Sequence, residues 1–142
     1  MRFATSILLF LLGIAACAQA QSTGGFHAVD IYVDSGEERL AAYQLHVRAG
    51  AGVSIVGIEG SEHAAFRKPP YYDPQAMQRN EVKLAAFSTL AKSKLPKGKT
   101  RVTTLHVFAK PGSAKFLVLS HSIGNERGGR ISPLVTFEFR EK

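Results

Sequence analysis

The run TRVTTLHVFA, from Thr100 to Ala109, decides the fold class. Along it Thr103, Leu105, Val107 and Ala109 alternate with Val102, Thr104, His106 and Phe108. A period of two in a stretch rich in β-branched and aromatic residues is the mark of a strand. A helix would instead need an apolar stripe recurring at three and four residues. The nearest approach to that is Pro74 to Arg79, about a turn and a half long.

Working outward, the same alternation recurs in short runs bounded by Gly, Pro, Asp and Ser. In His27 to Asp34, residues Val29, Ile31 and Val33 share a face, and Asp34-Ser35-Gly36 supplies a turn. Leu40 to Arg48 sets Ala41, Tyr43, Leu45 and Val47 against Ala42, Gln44, His46 and Arg48, so this strand is half buried. Val53 to Glu59 follows the turn Gly50-Ala51-Gly52, and Glu81 to Ser88, Lys115 to His121 and Leu134 to Arg140 complete the set. The chain therefore reads as all-β, a sandwich or barrel of at least these strands. Crossover helices of the length that a parallel sheet needs are not written in it.

One stretch departs from the pattern. Gly60 to Asn80 carries Phe66, Pro69, Pro70, Tyr71, Tyr72 and Pro74 in irregular backbone. A loop of that length usually has a function or covers something, and its prolines restrict it.

The chain has 142 residues with 18 Lys plus Arg against 11 Asp plus Glu, a formal charge of +7. Its start is an export signal: Arg2, the apolar run Ile7 to Ala16, then Ala18-Gln19-Ala20 as a small-x-small cleavage site. The expected organisation is a signal over 1–20, a loose leader over 21–26 and one domain over 27–142. Loss of Arg2 leaves 17 basic against 11 acidic side chains, or +6. An alternative reading takes Ile14-Ala15-Ala16-Cys17 as a lipobox, with Cys17 lipidated and the protein tethered to the envelope. Only under that reading is a membrane a partner. Cys17 is the single cysteine, so neither reading leaves a thiol for catalysis, for a thiolate metal site or for a disulfide. The 45% hydrophobic content suffices for a core without such staples.

The order of elements, with Val29-Asp30-Ile31-Tyr32-Val33-Asp34, then Leu40 to Val47, then Val53 to Gly60, and later Glu81 to Phe87 and Gly98 to Val107, resembles bacterial cohesin domains. The resemblance runs from about His27 to Arg140. It implies a jelly-roll β-sandwich of about seven to nine strands, related to a class of carbohydrate-binding modules. It also implies a non-catalytic role outside the cytoplasm, binding a dockerin-type protein partner, with polysaccharide as a second ligand class.

The residues themselves offer few catalytic constellations. Ser54, Ser88, Ser120 and Ser122 lack a Gly-x-Ser-x-Gly elbow. Asp30 and Asp34, or Glu59 and Glu62, read as ordinary solvated carboxylates and not as a calcium site or an acid/base pair. The histidines at 27, 46, 63, 106 and 121 lie on separate segments, whereas zinc needs three or four convergent ligands, so no metal and no cofactor are expected. His46 and His106 are the pair placed to meet across neighbouring strands.

The binding candidates are the loop rings Phe66, Tyr71 and Tyr72, because aromatic residues anchor interfaces. They are expected to flank a sheet face, or else to plug the end of the sandwich. Lys97, Lys99 and Arg101, in the basic cluster that begins at Lys92, are the other candidates. Such a patch attracts anionic polymers; in an exported chain the polymer is not nucleic acid. The competing reading is that these lysines guard an edge strand.

Overall fold

A computed structural model describes residues 23–110 and 112–140. The export segment 1–20, Cys17 and the first residues of the leader lie outside the described residues. Among the described residues the chain forms eight strands: β1 (Gly25–Asp34), β2 (Leu40–Ala49), β3 (Val53–Glu59), β4 (Glu81–Phe87), β5 (Lys99–Ala109), β6 (Phe116–Asn125), β7 (Arg130–Ile131) and β8 (Leu134–Arg140). They make two four-stranded antiparallel sheets, β3-β5-β1-β8 (sheet A) and β4-β2-β6-β7 (sheet B). The chain is all-β, as the alternation requires. Pro74 to Arg79 contributes only a single 3₁₀ turn, Pro74–Ala76.

The core is what the two inner faces bring together. Val29, Ile31 and Val33 of β1 and Leu105 and Val107 of β5 meet Leu45 and Val47 of β2 and Val82 and Leu84 of β4, all fully or nearly fully buried. β1 starts two residues earlier than the sequence suggested, because Gly25 and Phe26 pair with Ala109 and Phe108. The Phe26 and Phe108 rings meet edge to face at 5.1 Å.

β5 shows one departure from strict alternation. Ile31 lies opposite Thr103 but Tyr32 lies opposite Arg101, so Val102 is an extra residue in the ladder. A bulge of this kind shifts the inward phase by one residue. That shift explains why Thr100 and Val102 are buried below it, whereas Thr103, Leu105, Val107 and Ala109 are buried above it.

The long loop between β3 and β4 seals one side of the sandwich. Its backbone bonds the free edge of β3, with Ile55 N donating to Arg79 O (2.8 Å) and Gln78 N to Ile55 O (2.8 Å). It bonds the free edge of β4 through Tyr71 N to Ala85 O (2.7 Å) and Ala85 N to Tyr71 O (3.0 Å). Phe66 enters the core between them, 2% exposed, with its ring 5.4 Å from that of Tyr43. At the loop's start the backbone doubles back so tightly that a Cβ on Gly60 would collide with Arg67 O. Gly60→Ala must therefore displace backbone, and an expected loss of about 2 kcal/mol is measurable by urea titration.

Candidate functional site

The outer face of sheet B carries a concave surface with converging polar and aromatic groups. Strand register lines its residues up in rows. Ala42 lies opposite Phe87 on one side and Gly124 on the other, and Gly124 lies opposite Arg130. The first row therefore reads Phe87, Ala42, Gly124, Arg130: a ring, two minimal side chains and a cation. With strands about 4.8 Å apart, the ring and the cation stand roughly 14 Å from each other across the floor.

The second row is Ala85, Gln44 and Ser122, extended past β4 by Tyr71, which bridges to Ala85. Tyr71 is 73% exposed and Phe87 63% exposed, so both rings stand in solvent. They form a ridge, since a second groove on its far side is lined by the loop residues from Ala64 to Pro69 and by Ser88, Thr89 and Leu90. The trough between the ridge and Arg130 holds about 460 Å³.

The third row, Lys83, His46 and Ser120, continues the trough into an adjoining hollow of about 350 Å³ that includes Gln44, His121 and Ser122. Glu81 does not neutralise it. Its carboxylate accepts from Arg48 Nε at 2.7 Å and lies 2.5 Å from His46 Nε2. Those two partners, Arg48 first, hold its pKa below the usual carboxylate range. Among the described residues Lys83 and Arg130 have no carboxylate within ion-pair distance.

The expected site residues divide. Tyr71 stands at the edge of a sheet face. Tyr72 is 36% exposed, and no residue lining the trough is Tyr72. Phe66 is a core residue, so it presents no ring to a ligand; the loop folds back because an apolar ring gains more from burial than from exposure. Lys97 is 3.5 Å from Glu37. Lys99 pairs with Glu138 and sits 4.7 Å above the Tyr32 ring. Arg101 is drawn into a cluster on sheet A, and none of these three cations faces the trough.

That cluster corrects a second expectation. Asp30 is only 8% exposed and no ordinary solvated carboxylate. Thr104 Oγ1 donates to its Oδ1 at 2.5 Å, and Arg140 donates through Nη2 at 2.7 Å and through Nε to Oδ2 at 3.3 Å. Arg101 Nη1 lies 3.4 Å away and is also bound to Glu62 and Thr104. His46 and His106 do not meet either, because β2 and β5 belong to different sheets; each sits beside a glutamate, Glu81 and Glu59.

Neither Phe87 nor Gln44 was singled out from the sequence, and Ser122 was weighed there only as a nucleophile. The available signal was the small-residue content of the outward phase, Ala42, Ala85 and Gly124, in strands whose inward phase is large. No family model, no curated protein and no solved structure matches this chain.

Proposed function

We propose that this is an exported, non-catalytic binding domain that docks a protein partner on the outer face of sheet B. The observation that carries the reading is the pairing of two solvent-exposed rings, Tyr71 and Phe87, with Arg130, unpaired among the described residues, across a floor of Ala42 and Gly124. Aromatic and arginine side chains dominate binding energies at interfaces, and a floor of small side chains lets a partner approach the sheet closely. A cohesin-like jelly roll is the finer reading of the fold. It is supported by the passage of the chain from one sheet to the other at almost every connection, and by the pairing of first strand with last.

A glycan is the second reading, favoured by the polar end of the trough. There Gln44, Ser120, His121, Ser122 and Lys83 offer donors and acceptors beyond the rings.

Two variants test the face from opposite directions. Tyr71→Ala removes a ring, and an affinity loss of about 30-fold is expected for a hot-spot residue. Gly124→Leu fills the floor. A Cβ there meets nothing closer than 3.8 Å, so the sheet accommodates the change while the trough is blocked. Calorimetric titration of a captured partner reads both. Unchanged affinity in both variants would remove sheet B as the docking face.

A further inference from the structure

We infer that the polar hollow at the end of the sheet B trough is a carboxylate subsite, and that it takes one acidic side chain from an extended segment of the protein partner. The inference rests on sheet B being the docking face and adds the chemistry of what docks there.

Two cations from opposite edges of the sheet converge on this hollow. Lys83 stands on β4 and Arg130 on β7, three strand spacings apart, yet both line the same space of about 350 Å³. Gln44, Ser120 and Ser122 lie between them, with His46 beside Lys83. Among the described residues the side chains of Lys83, Arg130, Gln44, Ser120 and Ser122 make no hydrogen bond to the protein. Ammonium, guanidinium, amide and hydroxyl donors thus border one volume with their capacity unspent. A carboxylate has about four lone-pair sites to offer them and meets a guanidinium in a two-pronged geometry. The acid nearest in the register, Glu81, is already taken by Arg48 and His46.

The charge of the two outer faces sets the sign of the partner. On sheet A the outward cations Lys99, Arg101 and Arg140 meet Glu138, Glu62 and Asp30. On sheet B, Arg48, Lys83 and Arg130 face outward against Glu81 alone. Sheet B therefore keeps an excess of positive charge, which draws an acidic partner and repels a basic one.

How that charge is distributed favours a protein over a polyanion. A repeating acidic polysaccharide carries its charges along its whole length and is matched by cations repeated along its path. Here the two cations without a carboxylate partner among the described residues both border the hollow, and the far end of the trough is Phe87, Tyr71 and Ala42. One acidic group and one apolar group, set apart on the same segment, answer that pattern. The Phe87 row lies one to two rows from the hollow, about 7–13 Å at two residues per row. An extended segment then carries its apolar residue roughly two to four positions from its Asp or Glu.

Random dodecapeptides displayed on phage and panned against the native chain test this. The expected yield is peptides with an Asp or Glu two to four positions from a large apolar residue. Replacing that acid by its amide in the synthetic peptide is expected to weaken binding at least about 30-fold. The double variant Lys83→Gln plus Arg130→Gln is expected to lose the same factor for the acidic peptide, yet to bind the amide peptide as the native chain does. The change on the peptide leaves the protein untouched, so it reads the subsite even if the double variant folds poorly. Selected peptides that depend on Tyr71 and Phe87 but tolerate the amide overturn the carboxylate subsite and leave the docking face standing. Peptides indifferent to Tyr71→Ala plus Phe87→Ala overturn the docking face, and the subsite with it. A panning that enriches no acidic peptide, or a uronic-acid oligosaccharide that outbinds every selected peptide and needs Lys83 and Arg130 to do so, also overturns the inference.

Discussion

Phe66→Ala is expected to cost about 3–5 kcal/mol of stability, the range for deleting a buried phenylalanine ring. Phe66 sits on the loop at 2% exposure against Tyr43, where the loop crosses between the two sheets, and no neighbouring element can collapse into the gap without pulling the loop off the edges of β3 and β4. Tyr71 comes five residues later on the same loop and points the other way. Tyr71→Ala should leave stability within about 0.5 kcal/mol, as surface truncations do, because its hold on Ala85 is through backbone. Paired denaturant titrations separate the two rings. Equal losses would mean that both serve the core, and a small loss at Phe66 would mean that the loop is not the plug described above.

Asp30→Asn is the second large effect, expected at about 3 kcal/mol near neutral pH. Removing one partner of a buried ion pair strands the others, though here Arg101 keeps Glu62 and Glu59, and Arg140 keeps Glu59, so the low end of that range applies. Burial by itself would raise the Asp30 pKa. The hydrogen bonds from Arg140 and Thr104, with the attraction of both guanidinia, outweigh burial and hold it below the ordinary aspartate value. The sign follows from linkage. A carboxylate with a depressed folded pKa contributes its full stabilisation above its unfolded pKa, near 3.9, and loses it as pH falls toward the lower folded value. The native protein should therefore lose stability below about pH 4 more steeply than Asp30→Asn, and the two curves should converge in acid. Thermal melts between neutral and acid pH read this, and parallel curves would show that Asp30 stays charged or uncharged in both states alike.

The strands were legible because each is written in its own period of two. Val53–Glu59 and Leu134–Arg140 have the bounds that the alternation gives them. β7 was not, since two residues, Arg130 and Ile131, cannot display a period. The bulge at Val102 was hidden because every residue around it suits a strand in either phase. Tyr71 is exposed on the loop that the sequence picked out, whereas the basic cluster does not reach the trough. Lys97 in the turn before β5, and Lys99 and Arg101 on the outer side of β5, each take a different acidic partner, Glu37, Glu138 and Glu62. Arg130 reaches the trough through the register of β7 on Gly124, and among the described residues no carboxylate lies within ion-pair distance of it. Cross-strand rows of this kind depend on pairing between distant segments, which no local pattern records.

On the outer face of sheet A, Asp30 is held by charged groups that satisfy one another. Sheet B has left its outer face with a small-residue floor, two bare rings and two cations, Lys83 and Arg130, that have no carboxylate partner among the described residues. The most direct measurement is affinity capture from the culture fluid of the source organism, with the native chain, the triple variant Tyr71→Ala, Phe87→Ala, Arg130→Ala, and Asp30→Asn run side by side and the retained proteins quantified. A protein held by the native chain and by Asp30→Asn but lost by the triple variant is the expected result. A protein held equally by all three, or one lost with Asp30→Asn and kept by the triple variant, would contradict docking on sheet B.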